Sequence, residues 1–478
     1  MGRAATAGFA GRRRGPGVLG LAVAVVVGGC TTAGPAPAPV VTTPVAPATS
    51  AAPTARTGAA PDFDGDGGAD LVVGTGTRPG RVGIRYANGA SADLERQDVD
   101  PAHADSADFG QALLARDLNG DGYTDLVISD PGVELGLTLF LLYGGPGGLD
   151  LAGPVTLTSD SPGAGHALAL VAAPTPVLAV GGANEAVLTW PIGEDGRPGA
   201  GPATLDPSSL GLPAPAPGGR FGTSLASDGS LLVVGAPGET VNGARQAGAV
   251  YLVDFAKDPL QAQRVTEDTP GVPDDAQAQD RFGAALAADD GWLVVGVPGE
   301  DRKDESGHNQ PRTGMIVGFG LSGGTIASAQ AYDQRWAPGT VEAGDGFGST
   351  LAMARPCKDT AGVLVGAWAE AVGARAQAGA VWLVPLGDAA ACGYVRLHDG
   401  DGLAERARAG TAVGSAVSAL RVGAAGDTLV IAAQGDSEEG VPGRVFTLDY
   451  PYTDPPVEVL KDLAVAEERT IALSPPGG

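Results

Sequence analysis

The chain has 478 residues, including 77 glycines and 38 prolines, and a formal net charge of −25. That charge repels nucleic acid and anionic lipid headgroups, which excludes both as partners of the folded surface. The hydrophobic content of 43% suffices for a core, and it falls in short β-branched runs between turn signals, against both disorder and a helical fold.

Residues 1–29 begin with a charged head, Arg12 to Arg14, followed by an apolar run from Val18 to Val27. The run is too short to cross a bilayer as a helix and reads as a secretory signal. Its ending, Val27-Gly28-Gly29-Cys30, resembles a bacterial lipobox. The resemblance implies that Cys30 is lipidated and becomes the mature N-terminus. The arginine run leaves Sec and twin-arginine export both open. Residues 30–61 are rich in Pro, Ala and Thr and contain no acidic residue. Such a segment cannot bury a core and is expected to be a disordered tether. The expected location is extracytoplasmic, with the membrane reached through the N-terminal lipid alone.

Residues 62–478 open on a twelve-residue pattern that occurs twice, DFDGDGGADLVV from Asp62 and DLNGDGYTDLVI from Asp117. Each copy places oxygen-bearing side chains at positions 1, 3, 5 and 9, has glycine at position 6, and leads into a strand. Hard cations such as Ca2+ take several oxygen ligands at about 2.3–2.6 Å, and a tight loop of alternating carboxylates supplies them. An EF-hand would need Glu at position 12 and flanking helices. Position 12 is Val73 or Ile128, and the flanks read as strands. Two Ca2+ sites are therefore expected. One would use Asp62, Asp64, Asp66, Asp70 and the Gly68 carbonyl; the other would use Asp117, Asn119, Asp121, Asp125 and the Tyr123 carbonyl. The alternative is an Asx-turn loop without an ion. Two lookalikes, Asp399–Gly402 and Glu342–Asp345, lack the later aspartate and the following strand and are expected to be solvated loops.

Phe-Gly recurs at Phe109, Phe221, Phe282 and Phe347, with weaker equivalents at Gly165 and Val413. Each is followed by two short apolar strands, often a small-residue-proline ending, then a loop and a third strand such as GAVYLV at Gly248 or GAVWLV at Gly379. With the copy at Asp62 there are seven units, about 55 to 66 residues apart. A four-stranded unit at this period is one propeller blade, which buries both faces of its sheet only by packing against neighbours in a ring. The expected fold is all-β, a seven-bladed β-propeller of four-stranded antiparallel blades. The first unit lacks an inner strand and the last has a surplus, so Arg469–Ser474 is expected to close the ring.

The stretch FGQALLARDLNGDGYTDLVISDP, from Phe109 to Pro131, resembles the FG-GAP repeat of integrin α-subunit propellers and their bacterial relatives. The resemblance extends over nearly all of Asp62 to Ser474, with units three and seven degenerate. It implies cations in the loops between strands one and two. It also implies that ligands are met on the opposite rim, by the loops from strand two to three and from strand four to one.

Cys357 and Cys392 remain as an even pair, which outside the cell points to a disulfide, with two free thiols as the alternative. The four histidines are scattered, and no zinc, G-x-S-x-G or P-loop spacing is present. The long loops 238–247, 299–313 and 369–378 are expected to share the ligand rim with 269–280 and 335–345, where Trp336 is the best aromatic anchor. The leading functional expectation is a non-enzymatic cell-surface module that adheres to protein or glycan ligands. The alternatives are an extracytoplasmic hydrolase or lyase using rim carboxylates, and a structural subunit of an envelope complex.

Overall fold

The structure is a computed structural model that describes residues 60–450, apart from 75–79, 104–107, 133–135, 183–184, 215–216, 305, 337–340, 358–359, 388–391, 400–401, 404–408, 422–426 and 435–442. The signal segment, Cys30, nearly all of the tether and the closing strand expected at Arg469–Ser474 lie outside the described residues.

Seven blade sheets follow one another along the chain, and a two-stranded pairing of Arg302–Lys303 with Asn309–Gln310 falls between the second and third strands of blade five. Blade one holds Leu71–Gly74, Arg81–Arg85 and Ser91–Glu95; blade two holds Leu113–Arg116, Asp125–Gly132, Gly136–Leu142 and Val155–Ser159. Blade three holds Ala164–Val171, Val177–Gly182, Val187–Pro191 and Ala203–Leu205; blade four holds Ser224–Asp228, Leu231–Ala236, Ala249–Asp254 and Gln261–Val265. Blade five holds Leu286–Asp289, Trp292–Val297, Met315–Ser322 and Thr325–Tyr332. Blade six holds Thr350–Cys357, Thr360–Ala367, Ala380–Pro385 and Val395–Asp399; blade seven holds Val413–Arg421, Asp427–Ala433 and Arg444–Tyr450.

Blades two to five have the expected four strands. Blades one and seven show three among the described residues, and the one absent from blade one is the inner strand that its sequence lacks. Blade six differs from expectation in the other direction: Gly402–Leu403 adds a short parallel strand beside Val395–Asp399. Asp399 and Gly402, the two ends of the acidic stretch, lie in these paired strands, and residues 400–401 between them lie outside the described residues.

Burial explains which runs become which strands. Second strands are covered on both faces, as Leu231–Ala236 is along its whole length, and so read as unbroken apolar runs. Outer strands alternate, as Val155–Ser159 does, because one face meets solvent. Seven hydrophobic clusters fill the seven junctions between blades. One of them packs Leu71 and Val73 of blade one against Leu420, Val430 and Val445 of blade seven, so described residues already close the ring.

The Phe-Gly and Gly-Ala-Pro signatures are two halves of one contact. Phe221, Phe282 and Phe347 are buried and stand edge-on to Tyr251, Phe319 and Trp382 on the third strand of their own blade. The glycine after Phe282 has φ of 86°, and its carbonyl presses onto Gly235 of blade four. A Cβ on Gly235 would sit 2.3 Å from that carbonyl oxygen, so no side chain fits. The same approach joins Gly296 to Gly348 and Gly366 to Gly414. Ser224 and Thr350 each donate a hydroxyl to the next blade's glycine carbonyl, at 2.7 and 2.8 Å.

Cys357 and Cys392 form a disulfide, with Cα atoms 5.8 Å apart. It ties the last residue of the inner strand of blade six to the segment before its outer strand. Among the described residues no helix is long and apolar enough to cross a membrane.

Candidate functional site

The two acidic loops sit on one rim and share one backbone framework. In the first, Asp62 accepts from the Gly67 N–H at 3.0 Å, Asp64 from Asp66 at 3.2 Å, and Asp66 from Gly68 at 2.6 Å. Asp70 accepts from Phe63 at 2.6 Å and Ala87 at 3.0 Å. The second repeats this: Asp117 accepts from Gly122 at 3.0 Å, Asn119 from Asp121 at 3.0 Å and Asp121 from Tyr123 at 2.9 Å. Asp125 accepts from Leu118 at 2.8 Å and Gly144 at 2.9 Å. Gly67 and Gly122 both have positive φ, which turns the chain so that successive side chains face inward. The loops also support each other. The Asp62 N–H donates to Thr124 Oγ1 at 2.9 Å, and the Thr124 N–H donates back to the Asp62 carbonyl at 2.9 Å.

Asp62, Asp64 and Asp70 bring carboxylate oxygens within 4.8 Å of one another. Asp62 Oδ1 is buried and receives no hydrogen bond. An orphaned oxygen facing two other carboxylates fits a hard divalent cation, and all available donors are oxygen. Asp66 lies outside that triad, one of its oxygens being engaged in the turn. In the second loop Asn119 Nδ2 donates to Asp121 at 2.9 Å, so an amide proton partly fills the role that charge fills in the first. Burial, reinforced by neighbouring aspartates, pushes the Asp70 carboxyl up to about 6 and Asp125 up to about 7, against the pull of their backbone N–H partners. Burial also raises Asp62. A bound divalent cation would oppose all three shifts by favouring the charged form.

The opposite rim carries a solvent-open cavity of about 610 Å3. Its walls come from positions that recur in blades four, five and six. Arg220, Arg281 and Gly346 precede the Phe of each unit; Gln246, Arg312 and Gln377 lie two residues before the glycine that immediately precedes each third strand. Five of these six are non-glycine residues, and all five have φ between 53° and 62°, an uncommon conformation for side-chain-bearing residues. Arg220 and Arg312 both bear on Arg281. Burial first, then these two guanidiniums, lower its pKa.

Three sequence expectations meet this rim. The loops 238–247, 299–313 and 369–378 each contribute to the cavity, through Gly238, Arg312 and Ala369 among others. In Glu342–Asp345, Glu342 and Ala343 are exposed as expected of a solvated loop, but the stretch lines the cavity and Asp345 is buried, its carboxyl pushed up to about 6 chiefly by burial. Trp336 is 49% exposed, with its ring 5.9 Å from Tyr332 and 6.4 Å from Tyr394, and lies outside the cavity lining. The tryptophan in the wall is Trp368, which stands where the other units have proline. Comparing unit endings (Gly-Ala-Pro, Gly-Val-Pro, Gly-Ala-Trp) would have found it. The histidines stay apart: His103 faces Asp100 at 3.0 Å, His308 faces Asp304 at 3.7 Å, and His166 contacts the Gly163 carbonyl at 3.2 Å.

Family models described as FG-GAP repeat match residues 109–136 and, for a second model of the same description, residues 215–253 and 271–310. No curated protein matches. Among solved structures the chain is similar to the Neurospora crassa Pan2 WD40 domain, at 13% identity over 78% of this chain and 85% of that one, with a TM-score of 0.42. It is also similar to the RRP9 WD40 repeats, at 12% identity over 88% of this chain and 94% of that one, with a TM-score of 0.45.

Proposed function

Starting from a chain that carries FG-GAP repeats and folds as a seven-bladed β-propeller, we propose that it is a calcium-stabilised, lipid-anchored cell-surface module that binds ligands bearing anionic groups, on proteins or glycans. The observation that carries this reading is the rim cavity, with three arginines gathered in a chain of net charge −25. Arg220, Arg281 and Arg312 are all exposed, so water screens much of their mutual repulsion, and a bound anion would offset the rest. A cavity of this size with convergent polar groups also fits a binding site. Cys30 would supply the anchor and residues 31–61 the reach. The Asp62 and Asp117 loops would hold Ca2+, which neutralises their charge and stiffens the opposite rim.

The test is calorimetric titration of the purified protein with acidic and neutral surface glycans and with acidic protein segments. Binding of acidic ligands that weakens with salt and is lost in Arg220→Ala with Arg281→Ala is the expected result. Equal binding of neutral ligands, or none of either, overturns it. Product release in the same mixtures would favour the hydrolase or lyase reading, for which the cavity carboxylates Glu342 and Asp345 are the groups to substitute.

A further inference from the structure

At the junction of blades four and five lie three buried carboxylates that no loop motif announces. Glu267 follows the outer strand of blade four, Asp280 precedes Phe282, and Glu300 follows the second strand of blade five. Their exposures are 1%, 2% and 1%, and their oxygens lie within 4.8 Å of one another. Both oxygens of Glu267 and Oε2 of Glu300 are buried without a hydrogen-bond partner. The nearby cation, Arg302, is 3.7 Å from Glu300 but sits 2.8 Å from Asp274 and 3.5 Å from Asp333. It is shared among acids rather than committed to this group.

The neighbouring blades show what normally satisfies this position. Strand register makes Glu239, Glu300 and Glu370 equivalent, each four residues beyond the glycine that touches the next blade. In blade four, Arg264 Nε holds Glu239 at 2.6 Å and the Tyr251 hydroxyl donates to it at 2.8 Å. In blade six, Arg396 holds Glu370 at 2.5 Å. Register puts Ala331 at the arginine position of blade five, and Val317 where Tyr251 stands. Glu300 has therefore lost both donors. Register also makes Glu267 equivalent to Gln334 at the next junction. There Gln334 Nε2 donates to Glu370 at 2.8 Å. Where one junction has an amide that gives a hydrogen, the other has a third acid that can give none while ionised.

A buried carboxylate group of this kind needs positive charge. A proton shared between Glu267 and Asp280, which are close enough for one, serves two oxygens and leaves Glu300 Oε2 orphaned. One ion at about 2.3–2.6 Å from each ligand spans oxygens up to about 5 Å apart, which matches the observed spread. We propose that Glu267, Asp280 and Glu300 form a third cation site, selective for Ca2+ over Mg2+, that staples blade four to blade five. Oxygen-only protein ligands with little water favour the larger ion. The site is distinct from the two acidic loops, lies on the opposite rim, and neighbours the cavity residues Arg281 and Pro298 in sequence. It stands whether or not the cavity binds anions.

The experiment is equilibrium dialysis of the metal-stripped full chain against Ca2+, for the wild type and for Glu267→Gln and Ala331→Arg. Glu267→Gln copies the next junction and Ala331→Arg copies blades four and six, so both variants have precedent within this chain. The expected result is one fewer bound ion per chain in each variant, and a higher melting temperature than wild type when both are metal-free. Equal ion counts in the wild type and a folded Glu267→Gln overturn the site. So do equal metal-free melting temperatures together with equal counts in Ala331→Arg. Asp121→Ala, run in parallel, reports the loop sites separately.

Discussion

On one rim, each acidic loop draws its charged groups from nine consecutive residues, Asp62–Asp70 or Asp117–Asp125. On the other, the cavity draws its groups from three blades spread over residues 220–377. The first arrangement concentrates negative charge locally, where backbone N–H groups orient it but do not neutralise it. The second gathers positive charge by repetition: Arg220 and Arg281 stand at the same position of adjacent blades, and Arg312 at its own repeat position. One rim concentrates carboxylates that would favour a cation, and the other gathers arginines that would favour an anion. Both depend on the ring, since each cavity wall belongs to a different blade.

The largest effect should come from emptying the acidic rim. A ligand at a thousand times its Kd stabilises the folded state by about 4 kcal/mol per site. Chelation should therefore lower the melting temperature in differential scanning calorimetry, and Asp121→Ala should remove part of that dependence. The affinity of the still-folded protein for an acidic ligand should be unchanged. A melting curve indifferent to chelator would break the comparison at its first term.

Next in size is the joint that holds the second rim together. Gly235→Ala would put a Cβ 2.1 Å from Ser224 Oγ and 2.3 Å from the Gly283 carbonyl. Overpacking against backbone should cost about 3 kcal/mol, read as a lower urea midpoint. Gly201→Ala, which meets open space, should stay within about 0.5 kcal/mol. Equal effects from the two would show that the close approach of blades is not what these glycines serve.

That joint also shows how far the sequence could be read. The Phe-Gly and Gly-Ala-Pro signals announce a period, and the period announces a ring, because backbone contact between blades tolerates only glycine. The acidic loops are legible for a similar reason: their oxygen-bearing side chains fall within nine residues of one another. The cavity and the Glu267, Asp280 and Glu300 group are not, because their members come from separate units and meet only across a junction. Glu300 looks like any glutamate after a turn until register sets it beside Ala331 rather than an arginine. Glu342–Asp345 likewise reads as a solvated acidic turn until packing buries Asp345.

A moderate effect is expected at the cavity itself. Arg281→Ala should weaken an acidic ligand about tenfold, or about 1.4 kcal/mol, in calorimetric titration. It should also lower the salt sensitivity of binding, since one guanidinium fewer faces the ligand. Relief of the repulsion among Arg220, Arg281 and Arg312 should leave the variant no less stable than the wild type. A stable variant with unaltered affinity would move the ligand off this rim.

The smallest effect should be at Trp336. Its indole is about half exposed and leans on Tyr332 and Tyr394 outside the cavity. Aromatic pairs contribute about 0.5–1.5 kcal/mol beyond buried area, and exposure places this one at the low end. Trp336→Ala should cost about 0.5 kcal/mol of stability and leave acidic-ligand affinity intact, whereas Trp368→Ala, in the cavity wall, should weaken it. The pair separates two ways for an aromatic to matter on this rim. If Trp336 rather than Trp368 controls affinity, the ligand lies along the outer surface of blades five and six, and the arginine cavity is a neighbour of the binding site rather than its centre.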